Sequence, residues 1–187
     1  MVSDRPCCYF AYGSNLHPLR LGLRTPTAEL VAVAELPGHV LRFHKRSDAD
    51  GSAKADAHGT GEPTHRLPGA VYRLDPADFA ALDRVEGLGP GGYELALETV
   101  ETTAGEALEV FLYRALPSHV VTGWRPFDWY RDLVLRGAEW HGLPAAHREA
   151  VAAMPVRRDP DPERRDHHDR LLRGLAAWQP GAGYALP

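Results

Sequence analysis

Cysteine is scarce in this chain, which has only two, Cys7 and Cys8, among its 187 residues. Neighbouring residues on a β-strand point to opposite faces, so a disulfide between these two would be strained. A disulfide-stabilised secreted scaffold is therefore excluded. We expect two buried thiols, with a reactive cysteine as the alternative.

An excess of positive charge is also missing. Lys and Arg total 21 against 25 Asp and Glu, which gives a formal net charge of −4. Such a balance provides no general attraction to phosphate backbones or anionic lipid. No apolar run approaches the roughly 18 residues that span a bilayer, and the first residues show no signal-peptide pattern. We expect a cytoplasmic protein with neither nucleic acid nor membrane as a partner, and the oligomeric state stays open.

The remaining composition is that of a globular protein, with 44% hydrophobic and 25% charged residues. Short β-rich runs alternate with helical segments, which predicts a mixed α/β or α+β domain. We expect this domain to cover residues 1–155, followed by a peripheral charged appendage over 156–187 with a short helix near Pro162–Leu175. The polar connection Lys45–Leu67 is too long for a simple linker, so we expect it to be functional or mobile.

The clearest predicted helix begins with Asp75 as N-cap before a proline and ends at Gly87. Phe79 and Leu82 define its inward stripe, and helical spacing places Val85 and Glu86 on the same stripe. A carboxylate that loses hydration on a buried face binds a proton more readily, as a general base near neutral pH requires. The alternative is a helix-terminal glutamate bonded to amides or an arginine. The neighbours Asp83 and Arg84 fall on outer faces, where we expect solvated side chains.

A second candidate site is the turn Tyr12–Asn15, where a strand ends and a helix is expected to begin. Such a turn leaves backbone N–H groups without partners and can hold an anion. Asn15 is the one asparagine in the sequence and could simply cap the helix, a role compatible with ligand binding. Ser14 lacks the Gly-x-Ser-x-Gly context of a nucleophile.

Three further signals have weaker implications. Lys54, one of two lysines, could pair with a substrate carboxylate or lie on the surface. The segment Gly87–Gly92 matches a dinucleotide-binding pattern literally, but it follows a helix instead of a strand, so we interpret it as a loop. The cluster His167–Asp169 lacks partner motifs for metal ligation, and we expect exposed histidines and no metal site.

Three sequence elements together resemble the γ-glutamylcyclotransferase family, also called AIG2-like. Their order and spacing agree with the family across roughly residues 7 to 155. The elements are Tyr9–Asn15 (YFAYGSN), Leu82–Gly87 (LDRVEG) followed by Tyr93, and Tyr130–Val134 (YRDLV) with Gly142–Pro144 (GLP).

This resemblance implies a small mixed-sheet β-barrel flanked by helices. It also implies that Glu86 is the catalytic general acid/base and that Tyr130 is an aromatic pocket residue. The segment Gly51–Asp56 resembles the Gly-Ser-x-Lys-Ala motif of bacterial members. The substrate-binding residues implied for the turn are Phe10 and Ala11, through their backbone, with Tyr12, Gly13, Ser14 and Asn15.

The leading hypothesis is a γ-glutamyl cyclotransferase that releases 5-oxoproline and an amine or amino acid without a cofactor. The α-amine of a γ-glutamyl compound can attack its own γ-carbonyl, and Glu86 would transfer the proton. One alternative is a deacylating cyclotransferase that removes a γ-glutamyl cap from a biosynthetic intermediate or a protein lysine. The other is a non-catalytic module that binds a small carboxylate.

Overall fold

The computed structural model describes residues 5–185 as seven strands and five α-helices. Two short 3₁₀ turns cover Pro76–Asp78 and Pro117–His119. The strands are β1 Cys8–Ala11, β2 Glu29–Pro37, β3 His39–Arg46, β4 Ala53–Gly59, β5 Arg66–Arg73, β6 Tyr93–Thr102 and β7 Ala107–Ala115. The helices are α1 Pro18–Gly22, α2 Phe79–Glu86, α3 Asp128–Trp140, α4 Ala145–Ala152 and α5 Pro162–Ala177.

Five strands close into a barrel in the order β1-β5-β2-β6-β7. Neighbours pair antiparallel except β1 and β7, which pair parallel through Tyr9 and Phe111 and close the barrel. The sheet is therefore mixed, and the barrel flanked by helices that the resemblance implied is confirmed.

Both faces of β1 are covered. On β1, Phe10 belongs to one buried cluster, and Tyr9 and Ala11 belong to another. Because side chains alternate between faces, one strand serves both clusters. Phe10 has no solvent exposure, and burying a phenylalanine contributes about 1.5–3 kcal/mol. This double burial fixes the position of β1 and of the turn that follows it.

The thiols differ from expectation because β1 begins only at Cys8. Cys7 lies outside the ladder and is exposed, whereas Cys8 is half-buried, and neither forms a disulfide. The prediction of buried thiols is therefore wrong for Cys7.

The long connection Lys45–Leu67 contains a strand that the sequence pattern did not indicate. β4 pairs antiparallel with β3 in a separate two-stranded sheet. The register shifts between Phe43 and Lys45, so His44 is the extra residue of a β-bulge. The backbone N–H of Ala53 donates to the carbonyl of Arg125 and ties this sheet to the loop before α3.

The last helix begins at the predicted proline and packs against α3. Leu171 and Leu175 of α5 join the cluster that contains Leu133 and Val134 of α3. His168 stacks on the Trp129 ring with the ring centroids 3.6 Å apart. The expectation of exposed histidines is therefore wrong for His168, which is buried. The division into a domain over 1–155 and an appendage over 156–187 stays a prediction.

None of the helices within residues 5–185 combines the length and apolar content that crossing a bilayer requires.

Candidate active site

Three residues of the turn after β1 line a pocket. The N–H of Leu16 donates to the Gly13 carbonyl at 3.1 Å and closes the turn. Within residues 5–185, the backbone N–H groups of Gly13, Ser14 and Asn15 donate to no protein acceptor. Unpaired N–H groups that converge on a pocket form a site for a carboxylate or an oxyanion.

Asn15 does not cap the following helix. His17 is the N-cap of α1, and its Nδ1 accepts from the Leu19 N–H at 3.2 Å. The buried Asn15 side chain instead donates from Nδ2 to Glu86 Oε1 at 2.7 Å and to the Tyr9 hydroxyl at 3.3 Å. Of the two predicted roles, the structure therefore favours a place in the site over helix capping.

Glu86 is the last residue of α2 and faces the turn. Gly87 ends the helix with a left-handed backbone, φ 70°, a conformation that glycine adopts without steric cost. The Glu86 side chain is 16% exposed. The predicted stripe is therefore correct for Glu86 but wrong for Val85, which is 48% exposed because the buried face narrows in the last turn.

Arg24 is a site residue that the sequence patterns did not indicate. Its Nη1 donates to Glu86 Oε1 at 3.2 Å and to Asn15 Oδ1 at 2.5 Å. Two donors thus hold Oε1, while Oε2 accepts from no side chain among residues 5–185. The Glu86 carboxylate is oriented through one oxygen and leaves the other available to a ligand.

The Asp83 side chain makes contacts within the protein that the helical pattern did not predict. Its carboxylate accepts from Tyr113 Oη at 2.6 Å and from Arg5 Nη1 at 2.8 Å. The expectation of a solvated Asp83 is wrong because β7 and the N-terminal segment cover this side of α2. Arg84 is exposed, as expected.

Five tyrosines line a small inner pocket together with the turn and Glu86. Burial raises the pKa of each, to about 12 for Tyr130, so the hydroxyls are neutral at physiological pH. Among the pocket-lining residues within 5–185, Glu86 is the one carboxylate. The pocket residues are Tyr9, Tyr12, Gly13, Ser14, Asn15, Ala55, Glu86, Tyr93, Tyr113 and Tyr130.

The β3–β4 sheet supplies one wall of this pocket. The Ala55 N–H donates to the Tyr130 hydroxyl at 3.1 Å, and the Tyr93 hydroxyl donates to the Ala55 carbonyl at 2.5 Å. A Cβ at Gly13 would lie 3.2 Å from Ala55 Cβ, so the turn approaches this wall closely. The segment Gly51–Asp56 therefore contributes to the pocket through Ala55.

Two residues implied by the resemblance lie behind the pocket. Phe10 and Ala11 are fully buried within β1, where they pair with Val71 and Ala70 of β5. Neither lines the inner pocket, which begins at Tyr12 on this side of the barrel. Their backbone role in substrate binding stays a prediction.

An outer cleft with about 1140 Å³ of space opens from the inner pocket, and Ser14, Glu86, Tyr93 and Tyr130 line both. Arg164 and His168 of α5 form part of its wall. Sequence analysis missed these two residues because their position depends on how α5 packs against α3.

Lys54 lies in this outer cleft instead of on the surface. Its Nζ donates to Asp50 at 2.6 Å and to Ser52 at 2.8 Å. It also lies 4.6 Å from the ring centroid of Tyr130 and 4.8 Å from that of Trp129. Because Asp50 already balances its charge, pairing with a substrate carboxylate stays a prediction.

One histidine and carboxylate cluster lies elsewhere on the β3–β4 sheet. Ligand atoms of His44, Asp56 and His58 lie within 4.8 Å of one another. Asp56 also accepts from the Ala115 N–H at 2.7 Å. A second hydrogen bond of 2.7 Å joins the Asp56 carboxylate to His44 Nε2. Its carboxylate thus fixes this sheet to β7, and the cluster does not line the inner pocket.

This chain is similar in sequence and in fold to known proteins of one family. The model of the AIG2-like family matches residues 66–150. The chain is 30% identical to the γ-glutamylcyclotransferase of Bos taurus over 151 residues and 29% identical to that of Homo sapiens over 154 residues. Each alignment covers 78% of this chain and 77% of the relative. A solved γ-glutamyl cyclotransferase superposes with a TM-score of 0.76 at 25% identity, covering 87% of this chain and 97% of that one.

The fold and these relatives thus define an enzyme of the cyclotransferase kind. The chain belongs to the γ-glutamylcyclotransferase family.

Proposed function

We propose that this protein is a γ-glutamyl cyclotransferase that converts a γ-glutamyl amide into 5-oxoproline and a free amine or amino acid. The observation that supports the proposal is that Glu86 and the residues of the Gly13–Asn15 turn, whose backbone N–H groups have no protein acceptor within residues 5–185, line one tyrosine-rich pocket. The family membership supports the same reaction.

Glu86 suits the two proton transfers that the reaction requires. It first accepts a proton from the substrate α-ammonium, and the free amine attacks the γ-carbonyl carbon. It then returns the proton to the leaving nitrogen as the original amide C–N bond breaks. The ring nitrogen still carries one extra proton after the attack, and it passes this proton to the released amine, which leaves as an ammonium ion. Such a positioned acid/base contributes about 10² to 10⁴-fold. Oε2 is the oxygen suited to these transfers because Asn15 and Arg24 engage Oε1.

The pocket itself supplies the positioning. When an amine and a carbonyl of one molecule are held in the right orientation, the effective molarity of the amine reaches about 10⁵ to 10⁸ M. The three N–H groups of the turn would bind the substrate carboxylate or the developing oxyanion. Losing one such donor costs about 10² to 10³ in rate. The reaction needs no cofactor, because nucleophile and electrophile belong to the same molecule.

The test is a panel of γ-glutamyl compounds assayed for 5-oxoproline by chromatography. The panel contains γ-glutamyl amino acids, γ-glutamyl alkylamines and ε-(γ-glutamyl)lysine. Release of 5-oxoproline with an equimolar amount of amine supports the proposal. Turnover confined to the amines or to the lysine conjugate would indicate a deacylating cyclotransferase. Saturable binding without release of product from any compound contradicts the proposal and indicates a binding module. A cytoplasmic location stays a prediction.

A further inference from the structure

Arg20 of α1 differs from the other cations around the outer cleft. Within residues 5–185, Arg24 is paired with Glu86, Lys54 with Asp50 and Arg164 with Asp159. Of the cations without an ion pair, Lys45 donates to the Gly91 carbonyl and Arg84 is exposed to water. Arg20 lines the same cleft. Within the described range 5–185, its guanidinium has no carboxylate oxygen within 4.0 Å, and its Nε is shielded from solvent without a hydrogen-bond partner.

An unpaired guanidinium in such surroundings is unfavourable in the free protein. Desolvation penalises the charged form, and an arginine group left without an acceptor loses hydrogen bonds that water would provide. Burial, with a further contribution from nearby Arg24, lowers the pKa of Arg20 to about 9. Arg20 therefore remains cationic near neutral pH, and an anion placed beside it would relieve both costs.

The position of Arg20 shows which part of a substrate it would contact. The inner pocket holds Glu86 and the turn, where the proposed chemistry takes place, and Arg20 does not line it. The leaving side of a substrate must then extend past Ser14, Glu86 and Tyr130 into the outer cleft, which these residues also line. Arg20 lies on that path.

We propose that Arg20 binds an anionic group on the leaving amine and so sets a preference for carboxylate-bearing leaving groups over neutral amines. The inference rests on the proposed function. The carboxylate could be the α-carboxylate of a leaving amino acid or an acidic group on its side chain. Planar, bidentate recognition of a carboxylate is the interaction for which a guanidinium is best suited.

The test compares two substrates that differ only in the leaving-group charge, γ-glutamyl-alanine and γ-glutamyl-alaninamide. We expect wild-type protein to prefer the acid. In Arg20→Gln, kcat/KM for the acid should fall about tenfold to 100-fold, as loss of a charge-assisted hydrogen bond predicts. The value for the amide should change less than about threefold. Arg20→Lys should recover part of the loss with the acid.

Matched controls separate binding from folding. Arg173→Gln removes an exposed cation of α5 that lines neither the inner pocket nor the outer cleft, and it should leave the acid-to-amide ratio unchanged. Because Arg20 has no protein partner within 5–185, Arg20→Gln should unfold at the same temperature as the wild type or a higher one. A second pair, γ-glutamyl-aspartate and γ-glutamyl-asparagine, identifies the source of the anion. A wild-type preference for aspartate that disappears in Arg20→Gln indicates the side-chain carboxylate, and equal values in the wild type indicate the α-carboxylate.

Two results would overturn the inference. An equal loss with acid and amide would show that Arg20 acts on the γ-glutamyl part or on the fold, and no loss with either would show that it contacts no substrate. If the wild type releases no 5-oxoproline, the proposed function fails separately. Calorimetric binding of the same acid and amide to wild type and Arg20→Gln then decides the inference: weaker binding of the acid alone in the variant supports it, and any other pattern overturns it.

Discussion

The side-chain amide of Asn15 donates to Glu86 Oε1 at 2.7 Å and joins residues that lie 71 positions apart in the sequence. Asn15 in turn accepts from Arg24 Nη1, so the three side chains form a closed set of contacts. The arrangement fixes the carboxylate at the end of α2 against the turn that follows β1. Orientation of the acid thus depends on a residue that sequence analysis placed in the turn.

Asn15→Ala should lower kcat for 5-oxoproline release by about tenfold to 150-fold. Hydrogen bonds to charged groups are worth about 1.5–3 kcal/mol. The bond from Asn15 holds Glu86 Oε1 in place and so fixes the direction in which Oε2 of the same carboxylate points. Steady-state kinetics with a γ-glutamyl amino acid measures the effect. Tyr9→Phe, which removes only the longer 3.3 Å contact of Asn15, serves as the control and should change kcat much less. An unchanged kcat in Asn15→Ala would show that Asn15 does not orient the acid.

Asp83→Ala should lower the free energy of unfolding by about 1–3 kcal/mol. The substitution leaves the buried Tyr113 hydroxyl without its acceptor, and an unsatisfied buried donor costs about this much. Urea unfolding measures the difference. Arg84→Gln, at the exposed neighbouring position, should stay within about 0.5 kcal/mol of the wild type. Equal effects at the two positions would contradict the assignment of Asp83 as a structural acceptor.

The buried histidines should make the protein less stable as the pH falls below about 6.5. Burial lowers the pKa of His17 to about 4 and that of His168 to about 3. Since the unfolded chain binds these protons at a higher pH, their contribution to stability is complete above pH 6.5. It is lost as the pH falls from there towards the folded values. The expected slope is about 1.4 kcal/mol per pH unit for each histidine.

Unfolding measured between pH 7 and 4.5 tests this dependence. His168→Phe keeps a ring against Trp129 without a titrating group and should flatten the slope. A wild-type stability that stays constant or rises over this interval would contradict the account.

Local signals predicted a large part of this molecule. The Asp75 cap, the following proline and Gly87 bound the helical segment that ends at Glu86, since capping depends on neighbouring residues. The β-rich runs Ala28–Leu36, Tyr93–Thr102 and Glu106–Arg114 predict strands, and the bounds of β2, β6 and β7 lie within one residue of these ranges. The sequence of β4, AKADAHG, has no apolar alternation and little intrinsic β-propensity, so only its pairing with β3 makes it a strand.

The parts of the site that local patterns missed are contacts between distant segments. Arg24 reaches a carboxylate 62 residues away, and Arg164 reaches the cleft because α5 packs on α3. Asp83 is a further example, because its position in the helix does not predict that the Tyr113 hydroxyl donates a hydrogen bond to it. Tertiary packing decides these positions, and helical or strand periodicity carries no information about it.

The most direct test of the account is 5-oxoproline release by Glu86→Gln. The amide keeps the size of the side chain and its contact with Asn15 but cannot take up the substrate proton. We expect turnover to fall by about 10² to 10⁴-fold, with substrate affinity by calorimetry and the unfolding temperature close to those of the wild type. Turnover at the wild-type rate in this variant would contradict the assignment of Glu86 as the general acid/base.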